Sequence, residues 1–265
     1  MFSFQTIASG SSGNGALVSQ GGTHILIDMG ISCRKLTQAL HTMGVGPEDL
    51  TGILLTHEHS DHIKGLATYC KKYSTPVYCT RGTGHMVSYK TAGIDPLLHF
   101  VDIGQAFPLG EIQVTALATS HDCRESSAYY LESREGSLGY LTDTGYIPQT
   151  TGERILGADI LLLESNHDEE MVRTGPYPYA LQQRVLGPEG HLSNEAAAYY
   201  AAASAQAGTR HTILAHLSEE NNTPALAKRV VGQALEAVGY RGTLEVAPRY
   251  EPGRQYRLEG EPCKK

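Results

Sequence analysis

Cysteine is scarce and scattered. Cys33, Cys70, Cys79, Cys123 and Cys263 are too few for a disulfide scaffold, and no CxxC pair exists to build a structural zinc knot. No apolar run approaches the roughly 18 residues of a membrane span. The first 18 residues lack a basic start followed by an apolar core, so no secretory signal is expected and the cytoplasm is the default. Positive charge is in deficit, with 21 Lys+Arg against 28 Asp+Glu and a net charge of −7. That argues against coating nucleic acid through bulk charge, but it leaves room for a local grip on phosphate through metal ions. No protein partner can be inferred.

The 265 residues, 40% hydrophobic and 18% charged, suit a folded core rather than a disordered chain. Strands are expected near Ser3–Ala8, Ala16–Ser19, His24–Ile27, Gly52–Thr56, Val77–Cys79, Ile112–Leu117, Ala128–Leu131, Leu138–Leu141, Asp159–Glu164, His211–Ala215 and Thr243–Val246. Helices are expected near Cys33–Met43, Ile63–Tyr73, Glu195–Ala207 and Thr223–Val238, with Ser193 as an N-cap. The interleaving, without repeat or linker, predicts one α/β domain over residues 1–252. Residues 253–265 read as a frayed tail.

Twelve histidines are many for this length, and their placement carries the information. His57-Glu58-His59-Ser60-Asp61-His62 packs metal-ligand side chains directly behind an apolar strand. A loop at a strand end can turn back and aim such side chains at one point. Neutral imidazole and carboxylate suit zinc, manganese or iron. His121, Asp143 and His216 each follow another apolar strand, the same position in three further places.

HxHxDH, then a lone His, an Asp and a late His, resembles the metallo-β-lactamase superfamily. The segments Ala8–Asn14, Leu163–Asp168, Gly190–Asn194 and Ala215–Ser218 resemble its YycJ/WalJ branch, whose members are described as DNA exonucleases acting from the 5′ end. The resemblance implies a four-layer αββα sandwich and two divalent ions, Zn²⁺ or Mn²⁺, with iron a further fit. It assigns His57, His59 and His121 to one ion, Asp61, His62 and His216 to the other, and Asp143 to both. Two such ions clamp a phosphoryl group and share a hydroxide. Asp61 and His191 are then the catalytic candidates, and Asp28 an acceptor that orients a ligand histidine. His191 and His216 both stand before Leu-Ser, so either suits the last ligand position; the strand before His216 favours it.

Ser11, Ser12, Asn14, Asn166, His167, Ser193 and Asn194 are the substrate-contact candidates, with Glu164 as a further residue lining the cleft. Tyr177 and Tyr179, between Arg173 and Arg184, suit base stacking and backbone contact. The expected activity is a phosphodiesterase on DNA, with a 5′-phosphorylated end favoured and no membrane role. Hydrolysis of a small ester, thioester or cyclic phosphodiester, with β-lactam turnover as a side activity, is the alternative within the enzymes. A non-catalytic metal-binding protein is the alternative outside them.

Overall fold

Alternation within the strands sets the layering. In Thr23–Ile27, Ile25 and Ile27 enter one core and Leu26 another. In Ile160–Glu164, Ile160 and Leu162 face the first core and Leu161 and Leu163 a third. Strands buried on both faces read as unbroken apolar runs, which is how they appear in the sequence.

The computed structural model describes residues 1–259. One sheet contains β1 (Phe2–Ala8), β2 (Gly15–Gln20), β3 (Thr23–Ile27), β4 (Gly52–Leu54), β5 (Val77–Cys79) and β6 (Leu98–Phe100) in chain order. The other contains β7 (Ala106–Leu109), β8 (Ile112–Ala118), β9 (Ser127–Glu132), β10 (Ser137–Leu141), β11 (Ile160–Glu164), β12 (His211–Ala215) and β13 (Thr243–Val246). A last strand, β14 (Tyr256–Leu258), joins the first sheet beside β1.

The sheets enclose a core of residues such as Phe4, Ile27, Tyr129, Leu162 and Ile213. Helices α1 (Cys33–Thr42), α2 (Ser60–Ile63), α3 (Leu66–Cys70) and α4 (Arg81–Lys90) lie in the first half of the chain. Leu36, Leu40, Leu66 and Val87 from α1, α3 and α4 cover the outer face of the first sheet. The second half carries α5 (Gln149–Ile155), α6 (Glu169–Thr174), α7 (Tyr179–Leu186), α8 (Asn194–Gln206) and α9 (Pro224–Ala237). Ile155, Ala201 and Val231 from α5, α8 and α9 cover the second sheet. The expected αββα sandwich is present.

Two expectations are corrected. The single helix anticipated over 63–73 is two short ones, because Gly65 packs against the Ile31 carbonyl with no room for a Cβ and donates its N–H to the Met29 carbonyl at 2.9 Å. The chain beyond Pro252 is not frayed as far as Glu259. Gly253 donates to the Thr6 carbonyl at 2.9 Å, and Phe2–Phe4 pair antiparallel with Tyr256–Leu258. Tyr256 and Leu258 alternate into the central core, which anchors this strand. Positions 260–265 of that expectation lie outside the described residues.

Parallel pairing gathers the strand ends. β3 pairs in parallel with β4, and β10, β11 and β12 pair in parallel with one another. Within each set the C-terminal ends therefore share one edge. Within three residues beyond those ends stand Asp28, His57, Asp143 and His216.

Candidate metal centre

Three of these positions turn abruptly. Asp28, Asp143 and His216 have φ of 60°, 56° and 55°, the only non-glycine residues with positive φ among those described. The left-handed region is costly for a residue with a Cβ, although Asp and His are among those that enter it. At a strand end it turns the side chain back over the sheet edge, and here it is used three times around one point.

His57, His59 and His121 each bring a ring nitrogen within 4.8 Å of the others. Asp61, His62 and His216 form a second group of this kind, and Asp143 joins both His57 with His62 and His191 with His216. Asp143 Oδ2 lies 3.2 Å from His62 Nε2, and its Oδ1 lies 3.3 Å from His216 Nδ1. It stands between the two groups.

The outer nitrogens are fixed by partners behind them. His62 Nδ1 donates to Asp28 Oδ2 at 2.8 Å, and Thr56 donates to the same carboxylate through its N–H and hydroxyl. His121 Nδ1 donates to the Gly190 carbonyl at 3.1 Å. Glu164, fully buried, accepts through Oε1 from His191 Nδ1 at 2.8 Å and His216 Nδ1 at 2.9 Å. Its Oε2 accepts from the Thr144 and Leu192 N–H groups. Such bonds set the tautomer and present the remaining nitrogen to the centre.

The donor set fits metal ions. His57 Nε2, Asp143 Oδ2 and His216 Nε2 are buried without a hydrogen-bond partner among the described residues. Buried polar atoms are rarely left so, and a cation in each of the two groups, both touching Asp143, would resolve all three. Electrostatics agree. Burial opposes a charged His216, but the carboxylates of Asp143, Asp61 and Glu164 prevail and raise its pKa to about 10. Burial likewise opposes ionised Glu164, yet His191 and His216 draw its pKa down to about 2. Burial and neighbouring His62 hold His57 well below the usual imidazole value. The carboxylates around His62 and His216 call for positive charge, while His57 and His59 reject protons.

A family model, the beta-lactamase superfamily domain, matches residues 23–217. The chain is 39% identical over 239 residues to exodeoxyribonuclease YycJ of Bacillus anthracis, spanning 89% of this chain and 90% of that one. It belongs to the YycJ/WalJ family of the metallo-β-lactamase superfamily. Exodeoxyribonuclease WalJ of Streptococcus pneumoniae is 37% identical over 240 residues, 89% of each chain. Among solved structures, the metallo-β-lactamase fold protein YhfI of Bacillus subtilis superposes with a TM-score of 0.73 at 18% identity, over 97% of this chain and 100% of that one.

The candidate residues divide cleanly. His57, His59, Asp61, His62, His121, Asp143, His191 and His216 converge, with Asp28 directly behind His62. Five other candidates are buried, and the side chains of all but His167 bond to neighbouring segments. Asn14 accepts from the Gly10 N–H at 2.8 Å and directs its amide at His62 Nε2, 3.0 Å away. Asn166 donates to the His216 carbonyl at 2.7 Å. Ser193 caps α8 by accepting from the Ala196 N–H, and Asn194 pairs with Asn222 and Ser165. His167 bridges to Ser193, and burial pushes its pKa down to about 4. Ser11 and Ser12 remain exposed on the turn before Gly13.

The arginines expected beside stacking tyrosines are engaged elsewhere. Arg173 pairs with Glu169, and Arg184 with Asp122. Glu164 has a larger role than its sequence pattern suggests. The signal is nonetheless there, a carboxylate closing an apolar parallel strand as Asp143 and His216 follow theirs.

Proposed function

We propose that this chain is a dimetal-dependent exodeoxyribonuclease. The observation that carries the reading is the pair of His/Asp groups joined at Asp143, together with the kinship to proteins named exodeoxyribonucleases. His57, His59 and His121 would hold one divalent ion, Asp61, His62 and His216 the other, and Asp143 both. When bound, the ions supply positive charge opposite the phosphate oxygens and a water acidified toward neutral pH. Zinc, manganese and iron all suit this nitrogen and carboxylate set.

The chain's own groups supply the rest. Asp28 and Glu164 accept from Nδ1 of His62 and His216 and so turn the other nitrogen of each ring toward the centre. His191, half-buried with Nδ1 held by Glu164, presents Nε2 as a proton donor to the departing sugar oxygen. Asp61 and Asp143 supply fixed anionic charge, and Asp61 would accept a hydrogen bond from the attacking water. A 5′-phosphorylated end is the favoured substrate.

The test compares linear and covalently closed circular DNA in the presence of Mn²⁺. Degradation of the linear form alone, abolished by chelator and by His59→Ala, is the expected result. Intact linear DNA, or equal loss of both forms, would contradict an exonuclease.

A further inference from the structure

A cavity of about 490 Å³ lies beside the centre, between α1, the turn that precedes β2 and the segment after β13. Its size falls within the roughly 300–1,000 Å³ typical of small-ligand sites. Ser12, Lys35, Lys64, Arg249 and Tyr250 line it, and Ile7 and Ile31 contribute apolar surface. One lining acid, Glu251, stands among these three cations, and Glu219 pairs with Arg249 at 3.9 Å from outside the lining, so Lys35 and Lys64 carry the remaining positive charge.

The walls of the cavity continue the segments that build the centre. Lys64 stands two residues after His62. Asn14, next to lining Gly13, donates its N–H to the Asp61 carbonyl at 2.8 Å. Arg249 Nη2 donates to the Leu217 carbonyl, beside His216, at 2.9 Å. Lys35 and Lys64 are exposed and form no ion pair among the described residues. Tyr250 is 63% exposed at the rim, its hydroxyl donating to Glu219 at 3.4 Å and its ring face open. On the far side of α1, Arg34 and Lys72 line a second hollow, so the cations continue outward.

Cations around an apolar floor with an aromatic at the rim match the chemistry of a nucleotide, whose phosphates need charge and whose base needs a stacking face. We propose that this cavity holds a nucleotide of the DNA strand being hydrolysed, with Lys35 and Lys64 at its phosphates and Tyr250 against its base. This rests on the nuclease reading. It also explains how an acidic protein grips DNA: the contact is local.

The experiment measures KM and kcat for a single-stranded oligonucleotide and for bis(p-nitrophenyl) phosphate, a small diester that needs only the centre. The full chain is used with Mn²⁺ over a range of salt. Replacing both Lys35 and Lys64 by Ala should raise KM for the oligonucleotide about tenfold or more, while kcat and turnover of the small diester stay unchanged. Loss of two phosphate contacts should reduce the slope of log(1/KM) against log[salt] by about 1.4. Tyr250→Ala should raise KM for the oligonucleotide and Tyr250→Phe should not.

An unchanged KM and salt slope in the lysine variant, or a loss falling equally on both substrates, would overturn the cavity assignment while leaving the nuclease intact. If the unaltered protein hydrolyses the small diester but neither binds nor cleaves the oligonucleotide, the nuclease reading fails and the assignment falls with it.

Discussion

Glu164 and His216 meet at 2.9 Å, carboxylate oxygen to Nδ1, across the neighbouring strands β11 and β12. The same oxygen takes His191 at 2.8 Å. One buried anion thus fixes two histidines of the centre and, through its other oxygen, two loop N–H groups. Glu164→Gln keeps the shape but removes the charge and turns one acceptor into a donor. Metal affinity should fall about 10–100-fold. Chelator competition reads the change, and circular dichroism should show the fold retained.

Asp28 serves His62 in the same way, from a left-handed backbone. Asp28→Ala removes the acceptor and leaves a Cβ residue in a conformation that Asp tolerates better. It should cost both metal affinity and thermal stability. Asp28→Asn should keep more stability than the alanine variant, because Asn tolerates that backbone too. Equal melting temperatures for the two variants would contradict this account.

Metal loading should release protons. In metal-free protein the carboxylates around His216 raise its pKa to about 10, so the imidazole is charged at neutral pH. A ligand histidine must be neutral, and the proton has to leave as the ion enters. The raised value also means that His216 stabilises the metal-free fold most below its ordinary pKa, and that this contribution is lost as pH climbs through about 10. Apparent metal affinity should therefore keep rising with pH toward that value. Titration in weak buffer with an indicator dye measures the released protons, and no release at neutral pH would contradict the prediction.

Ser193 separates a structural role from a substrate role. It accepts from the Ala196 N–H at the start of α8. Ser193→Ala should cost about 1 kcal/mol of stability, read from the denaturant midpoint, with KM for DNA unchanged. A raised KM at unaltered stability would restore the substrate role.

His191 should matter according to the leaving group. A nitrophenolate departs without help, whereas a sugar alkoxide needs a proton. His191→Ala should thus cost DNA cleavage about 100-fold or more and hydrolysis of bis(p-nitrophenyl) phosphate far less. Equal losses on the two substrates would remove His191 as the donor.

Much of the centre is legible in the sequence because the strand-end residues carry two signals at once. An apolar run followed by His57, Asp143 or His216 marks a strand and its functional end together. Gly-rich α4, opening Arg81-Gly82-Thr83-Gly84, lacks a clear helical pattern, so the sequence alone does not reveal it. β14 is three residues long and is held by pairing with distant Phe2–Phe4, which no local pattern shows. Asn14, Asn166 and Asn194 resemble substrate contacts in sequence because polar residues near a site look alike there. Their bonds to the Gly10 N–H and His62, to the His216 carbonyl and to Asn222 show only in the folded chain.

The most direct test uses linear duplex DNA labelled at a 3′ end, with either a phosphate or a hydroxyl at the 5′ end, and Mn²⁺ with and without chelator. The account predicts progressive shortening from the 5′ end, faster with the phosphate, blocked by chelator and absent in His59→Ala. Labelled DNA that stays intact with the unaltered protein, or is cleaved equally by His59→Ala, would contradict it.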